Sequence, residues 1–134
     1  MIELPITTAA AAIFVLALIA LTLQVGIKRI QTQVFFGDGG NIDLARRRTA
    51  QINFLEHVPI FLIALALCEA SGGPEWLVLG AAGSMLAGRT SHALCMLFTN
   101  GLGNARAAGM ILTFIAHLMT GIYLASISLE RMAG

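Results

Sequence analysis

The chain has 134 residues, of which 57% are hydrophobic and only 11% are charged, and its formal net charge is +1. A typical soluble domain carries about a quarter charged residues, so this composition excludes a water-soluble globular protein and predicts an integral membrane protein. The length suits one domain over residues 1–134. The net charge is no argument for or against nucleic acid, and no nucleic-acid partner is predicted.

Four apolar segments follow one another along the chain, over residues 4–27, 46–70, 75–98 and 106–129. A helix needs about 20 apolar residues to cross the hydrocarbon core of a bilayer. In lipid, the hydrogen bonds of the backbone must also close within the segment. The sequence therefore predicts an all-α protein with four membrane-spanning helices.

Polar side chains interrupt the last three segments at one end. Because a helix turns by about 100° per residue, they form one face on each predicted helix. The residues are Asn53, Glu56, Arg89, His92 and Arg106. Ionisable side chains at membrane depth are costly against lipid, so these faces should turn inward. We expect Glu56 to pair with Arg89 or Arg106.

Two interpretations of this polar set are open. In the first, the side chains satisfy one another, fix the helix packing and bind nothing. In the second, they line a pocket that opens toward the cytoplasmic headgroups and binds a small polyanion. The second is favoured by an excess of cations over carboxylates, since arginine can hold carboxylates with two hydrogen bonds.

The positions of the three histidines and two cysteines do not predict a metal site. His57, His92 and His117 are expected to lie at depths too different for one metal ion. His117 is interpreted as a packing residue, with a proton relay or haem ligand as the alternative. Cys68 and Cys95 lie within apolar segments without a CxxC motif, which is typical of small core residues.

Three motifs occur in order in the last three segments: Asn53-x-x-Glu56-x-x-Pro59, Gly88-Arg89-x-x-His92-Ala93 and Arg106-x-x-Gly109. They resemble the signatures of the MAPEG family, the membrane-associated proteins in eicosanoid and glutathione metabolism. The stretch Gly37-Asp38-Gly39-Gly40-Asn41 is similar to the short bacterial branch. The resemblance implies a four-helix bundle that forms a homotrimer, with glutathione bound between subunits near the cytoplasmic face.

The resemblance also implies roles for single residues. Asn53 and Glu56 match the pair that contacts the glutathione peptide and its amino group, and His92 matches a position close to the cofactor. Arg106 matches the catalytic arginine that stabilises the thiolate. A thiol of pKa about 8.5 is mostly protonated at neutral pH, and a nearby guanidinium lowers that pKa. Further candidates for cofactor binding are Arg46, Arg48 and Arg89.

The function implied is a membrane-bound, glutathione-dependent transferase or peroxidase that acts on lipids and lipophilic electrophiles. A non-catalytic membrane scaffold or subunit, which binds a lipid or a partner protein, is the alternative. The alternative is favoured by the absence of three residues that active members of the family carry, an arginine and two tyrosines. This chain has Thr49, Met96 and Met110 in their place.

The charges predict the orientation in a bacterial inner membrane. The basic residues of the first and third loops all fall on one side of a four-span arrangement: Lys28, Arg29, Arg46, Arg47, Arg48 and Arg106. Because basic loops stay in the cytoplasm, both termini should lie in the periplasm. Alkaline phosphatase fused to the C-terminus should then be active, and a fluorescent protein at the same point should be dark. The opposite pattern would contradict this orientation.

Overall fold

A computed structural model describes residues 3–99 and 103–134. It contains four helices, α1 (Pro5–Thr32), α2 (Ile42–Ala70), α3 (Glu75–Phe98) and α4 (Asn104–Ala133), and the described residues form no strand. The prediction of an all-α four-helix protein is therefore confirmed. Helix α1 begins with a proline, whose missing N–H costs nothing in the first turn. Asn41 is the N-cap that precedes α2, and its side-chain oxygen accepts hydrogen bonds from the amides of Asp43 and Leu44.

Helices α1 and α2 are antiparallel and are tied together at both ends. At one end, the Glu69 carboxylate accepts hydrogen bonds from the backbone amides of Ile6 at 2.9 Å and Thr7 at 2.8 Å. These amides belong to the first turn of α1, where helical partners are missing and negative charge is favourable. At the other end, Asp43 pairs with Lys28 at 2.7 Å and with Arg47 at 3.2 Å. We call this second end the basic end of the bundle.

The core between α1 and α2 is aromatic. The ring of Phe14 meets the edges or faces of Phe54 and Phe61, with ring centroids 5.9 Å and 6.5 Å apart. Such edge-to-face pairs stabilise beyond the area that they bury. Phe61 and Leu65 are completely buried, so this face of α2 is fixed against the rest of the bundle.

Helices α3 and α4 cross closely at two glycines. A Cβ atom on Gly88 would lie 2.7 Å from the backbone oxygen of Gly109, and one on Gly109 would lie 2.9 Å from the backbone nitrogen of His92. Further along α3, the Ser84 hydroxyl donates to the backbone oxygen of Leu112 at 2.9 Å. Small residues that let two backbones approach are typical of helix packing in membranes.

The protein is an integral membrane protein. Among the described residues, α1, α2 and α4 are long and apolar enough to cross a bilayer. Helix α3 has 24 residues, which suffice by length. It also carries Arg89, Thr90, Ser91 and His92 in succession, and these lower its hydropathy. Its crossing of the membrane stays a prediction.

Candidate functional site

The guanidinium of Arg89 lies at the junction of three helices. The residue is only 3% exposed. Its Nη1 donates to the side-chain oxygen of Asn53 on α2, and its Nη2 donates to the hydroxyl of Thr113 on α4. The same Nη2 lies 3.3 Å from the sulfur of Met110 and 3.5 Å from the backbone oxygen of Gly109. Arg89 thus joins α2, α3 and α4 through a single side chain.

The acceptors around Arg89 are all neutral. No carboxylate lies within ion-pair distance of it in residues 3–99 and 103–134, and its Nε is buried without a hydrogen-bond acceptor there. A buried cation that lacks a counter-charge is costly in a low-dielectric interior. The cluster of Arg89, Asn53 and Thr113 therefore has a positive charge without a counter-charge among the described residues.

Glu56 does not form the expected ion pair with Arg89. It lies three residues after Asn53 on α2 and is exposed. Its neighbours on this face are apolar and exposed: Ile52 by 43%, Ile60 by 58% and Ile63 by 58%. We call this surface the Glu56 face of α2. The ion pairs found among the described residues are those of Asp43 with Lys28 and Arg47.

The other predicted site residues differ in burial. His92 is 3% exposed and lies one helical turn beyond Arg89, against the backbone of Gly109. Arg106 is exposed in the first turn of α4. Since Asn53 is half-buried and Glu56 is exposed, the four residues are not equally accessible within one chain. A common cavity for them stays a prediction.

The three consecutive arginines of α2 reach three different surroundings. Nη1 of Arg46 donates to the backbone oxygen of Thr99 at 2.6 Å, which ties α2 to the end of α3. Arg47 bonds Asp43 and, at 3.0 Å, the side chain of Gln24 on α1. Arg46 lies about 20° around α2 from Asn53, whereas Arg48 lies about 140° away. The structure therefore places Arg46, but not Arg48, on the side of the polar cluster.

The expectation that the three histidines differ in depth is wrong for two of them. His57 and His117 lie side by side between α2 and α4, with ring centroids 5.5 Å apart. Each is eleven residues beyond the basic residue that begins its predicted segment, Arg46 or Arg106. Because α2 and α4 both begin at the basic end and run in the same direction, this equal spacing was the signal for equal depth. No group of three metal-binding side chains occurs within the described residues.

Methionines occupy the two positions where the family resemblance leads us to expect tyrosines. Met96 is 5% exposed, and Met110 turns its sulfur toward Arg89. Tyr123 lies at the far end of α4, where its ring contacts the turn at Gly73. Cys68 and Cys95 are buried and do not form a disulfide, as the sequence predicted.

Comparison with known proteins gives a consistent result. The family model of the MAPEG family matches residues 7–126. The inner membrane protein YecN of Escherichia coli strain K12 is 32% identical over 91 residues, which cover 68% of this chain and 68% of that protein. The protein of the same name from Escherichia coli O6:H1 strain CFT073 matches with the same values. No solved structure matches this chain.

The glycine crossing generates a test of how the cluster is held. In Gly88→Ala, the new methyl group meets backbone atoms of α4 that cannot move aside, and overpacking of this kind costs about 1–3 kcal/mol. The melting temperature in detergent should fall. Gly83→Ala is the matched control on the same helix, since a Cβ there meets nothing within 4 Å. Equal melting temperatures for the two variants would contradict a tight crossing at Gly88.

Proposed function

Because this chain belongs to the MAPEG family, we propose that it is a membrane-bound, glutathione-dependent transferase or peroxidase that acts on lipophilic electrophiles. The observation that supports this best is the buried guanidinium of Arg89, which has neutral partners and no carboxylate partner among the described residues. A cation held in this way at the basic end of a membrane bundle suits an anionic cofactor that enters from the headgroup region.

Glutathione has groups that complement this end of the bundle. Its two carboxylates would bind guanidinium groups, for which Arg46 of α2 and Arg89 of α3 are the candidates. Its amino group would bind the exposed carboxylate of Glu56. The side-chain oxygen of Asn53 accepts from Arg89, so the amide nitrogen of Asn53 remains to donate to a peptide oxygen. His92 would border the cofactor from α3.

Arg106 would activate the thiol. It lies in the first turn of α4, where the guanidinium and the helix N-terminus both favour a nearby negative charge. Together they lower the pKa of a bound thiol, and the thiolate is the nucleophile. In a transferase, its sulfur forms a bond to an electrophilic carbon, and the leaving group departs with its electron pair. In a peroxidase, two glutathiones reduce a lipid hydroperoxide to an alcohol and water and form glutathione disulfide.

We propose that the working unit is a homotrimer. The Glu56 face supports this proposal, because an ionisable side chain among exposed isoleucines would be costly if it faced lipid. A neighbouring subunit over this face would cover the isoleucines and complete the site. We further propose that the protein lies in a bacterial inner membrane with periplasmic termini. The name of the Escherichia coli relative agrees with that membrane.

The alternative is a non-catalytic scaffold that binds a lipid or a partner protein. It is favoured by Met96 and Met110, because thioethers supply no hydroxyl that could hold a thiolate by donating to it. In that case Arg89 would serve packing alone, and the positive charge of the cluster would have no ligand.

A glutathione titration distinguishes the two functions. The wild-type protein should show thiolate absorbance in the near ultraviolet and a raised melting temperature as glutathione is added. Arg106→Ala should lose the absorbance, because the pKa of the bound thiol returns toward its ordinary value, and should remain a trimer in native mass spectrometry. Arg131→Ala, at the far end of α4, is the matched control and should behave as the wild type.

Two results would contradict the proposal. A wild-type protein that gives neither thiolate absorbance nor a thermal shift would exclude the glutathione enzyme and leave the scaffold. A wild-type protein that is only monomeric in mild detergent would exclude the trimer and any site between subunits.

A further inference from the structure

The imidazoles of His57 and His117 have no role in the proposed thiol chemistry. They come from the middle of α2 and α4, and their ring centroids lie 5.5 Å apart. Neither ring forms a hydrogen bond with any residue that the structure describes. Both residues are half-buried rather than sealed within the core. Because an imidazole without a hydrogen-bond partner is costly at membrane depth, the pair requires a polar partner from outside the described chain.

The pair continues the polar cluster around Arg89 by one helical turn. His57 is four residues after Asn53, and His117 is four residues after Thr113. Four residues correspond to a rise of about 6 Å, so the two rings lie directly beyond the cluster on the side away from the basic end. The two rings face each other within one chain, and their contact does not depend on an exposed surface.

Apolar surroundings begin at the pair. The ring centroid of Phe61 lies 6.0 Å from that of His117, and the ring centroid of Phe114 lies 6.3 Å from that of His57. Phe61 is completely buried and closes the inner side. Gly121, one turn beyond His117 on the same side of α4, leaves open space, because a Cβ atom there would meet nothing within 4 Å. An apolar chain in this space would have its polar group at the pair.

The charge of Arg89 restricts the polar group that suits the pair. A cation would be repelled by the guanidinium one turn away, and an anion would bind that guanidinium in preference to an imidazole. Two side chains are also too few for a metal ion of the usual coordination, and the described residues contain no group of three. A neutral group remains. Since a neutral imidazole has one donor and one acceptor nitrogen, a hydroxyl matches the pair because it both donates and accepts.

We propose that His57 and His117 bind a hydroxyl group of the lipophilic substrate. One ring donates to the hydroxyl oxygen, and the other accepts a hydrogen bond from it. Donor and acceptor in such a bond are about 2.9 Å apart, so two rings with centroids 5.5 Å apart can share one oxygen. The apolar chain of the substrate lies beside Gly121.

This inference rests on the proposed function, because it concerns the substrate of the same site. By the helical rise, the pair lies about 16 Å beyond Arg106, so the hydroxyl is recognised apart from the atom that reacts with the thiol. The pair therefore determines specificity and does not take part in catalysis. It selects a substrate with a hydroxyl on an otherwise apolar chain.

Water alone is the competing occupant of the pair. Water also donates and accepts, but it would leave the space beside Gly121 without apolar contacts. The two occupants are distinguished by a pair of matched probes, a saturated hydrocarbon and the secondary alcohol of the same chain length.

Nitrogen NMR of the full-length protein with isotope-labelled histidine tests the contact, in mild detergent and without glutathione. The alcohol should shift the ring resonances of His57 and His117, and the hydrocarbon should not. His92 serves as the internal control, and its resonances should stay unchanged. Calorimetry should show that the alcohol binds about tenfold more tightly than the hydrocarbon, as expected for neutral hydrogen bonds.

Two variants remove the hydrogen bonds and keep a ring. In His57→Phe, the alcohol should bind no more tightly than the hydrocarbon, and the resonances of His117 should no longer shift. His117→Phe is the converse variant and gives the result if the first one unfolds. The affinity for the hydrocarbon should be the same as in the wild type, and the melting temperature shows whether each variant is folded.

The space for the apolar chain is tested by filling it. Gly121→Leu should weaken the binding of both probes by a similar factor. Gly83→Leu is the matched control on α3, since a Cβ atom there also meets nothing within 4 Å, and it should bind both probes as the wild type does.

Failure of this proposal and failure of the glutathione enzyme give different results, because no glutathione is added here. Selective binding of the alcohol without any response to glutathione would leave a lipid site on a scaffold. Equal affinities of the wild type for the alcohol and the hydrocarbon would overturn the proposal, since the pair would then hold water alone. Selectivity that persists in both phenylalanine variants would overturn it too, because the hydroxyl would then be bound elsewhere.

Discussion

The buried guanidinium of Arg89 is the interaction on which the polar end of this bundle depends. A cation in a membrane interior must be surrounded by acceptors or it destabilises the fold. Here Asn53 and Thr113 supply them from two other helices, and Thr113 is in reach only because α3 and α4 approach closely at Gly88 and Gly109. Helix packing and the chemistry of the site are therefore set by the same contacts.

Helix α2 presents different surfaces to different surroundings. Its aromatic side is buried against α1, and Asn53 joins it to Arg89. The Glu56 face is exposed in the single chain, which supports a subunit boundary there.

Much of the fold could be predicted from the sequence, because apolar segments of this length can only be helices in lipid. The inward position of Arg89 and His92 followed from the cost of exposing them to lipid. The hydrogen-bond partner of Arg89 could not be predicted in this way, because its opposite charge made Glu56 the expected partner. Only the packing of α2 against α3 decides that Asn53 is the nearer residue. Three adjacent arginines also look equivalent in a sequence. Their steps of about 100° around the helix direct Arg46 to the end of α3 and Arg47 to α1.

The coupling between Arg89 and Asn53 is the most direct measure of this account. The unfolding free energies of the wild type, Asn53→Ala, Arg89→Met and the double variant would be compared in one detergent. The account predicts that Asn53→Ala destabilises the wild type by about 1–3 kcal/mol, because a buried guanidinium loses its acceptor. In the Arg89→Met background the same change should have little effect, which gives a coupling of about 1–3 kcal/mol. Strictly additive effects would contradict the claim that Arg89 organises the three helices.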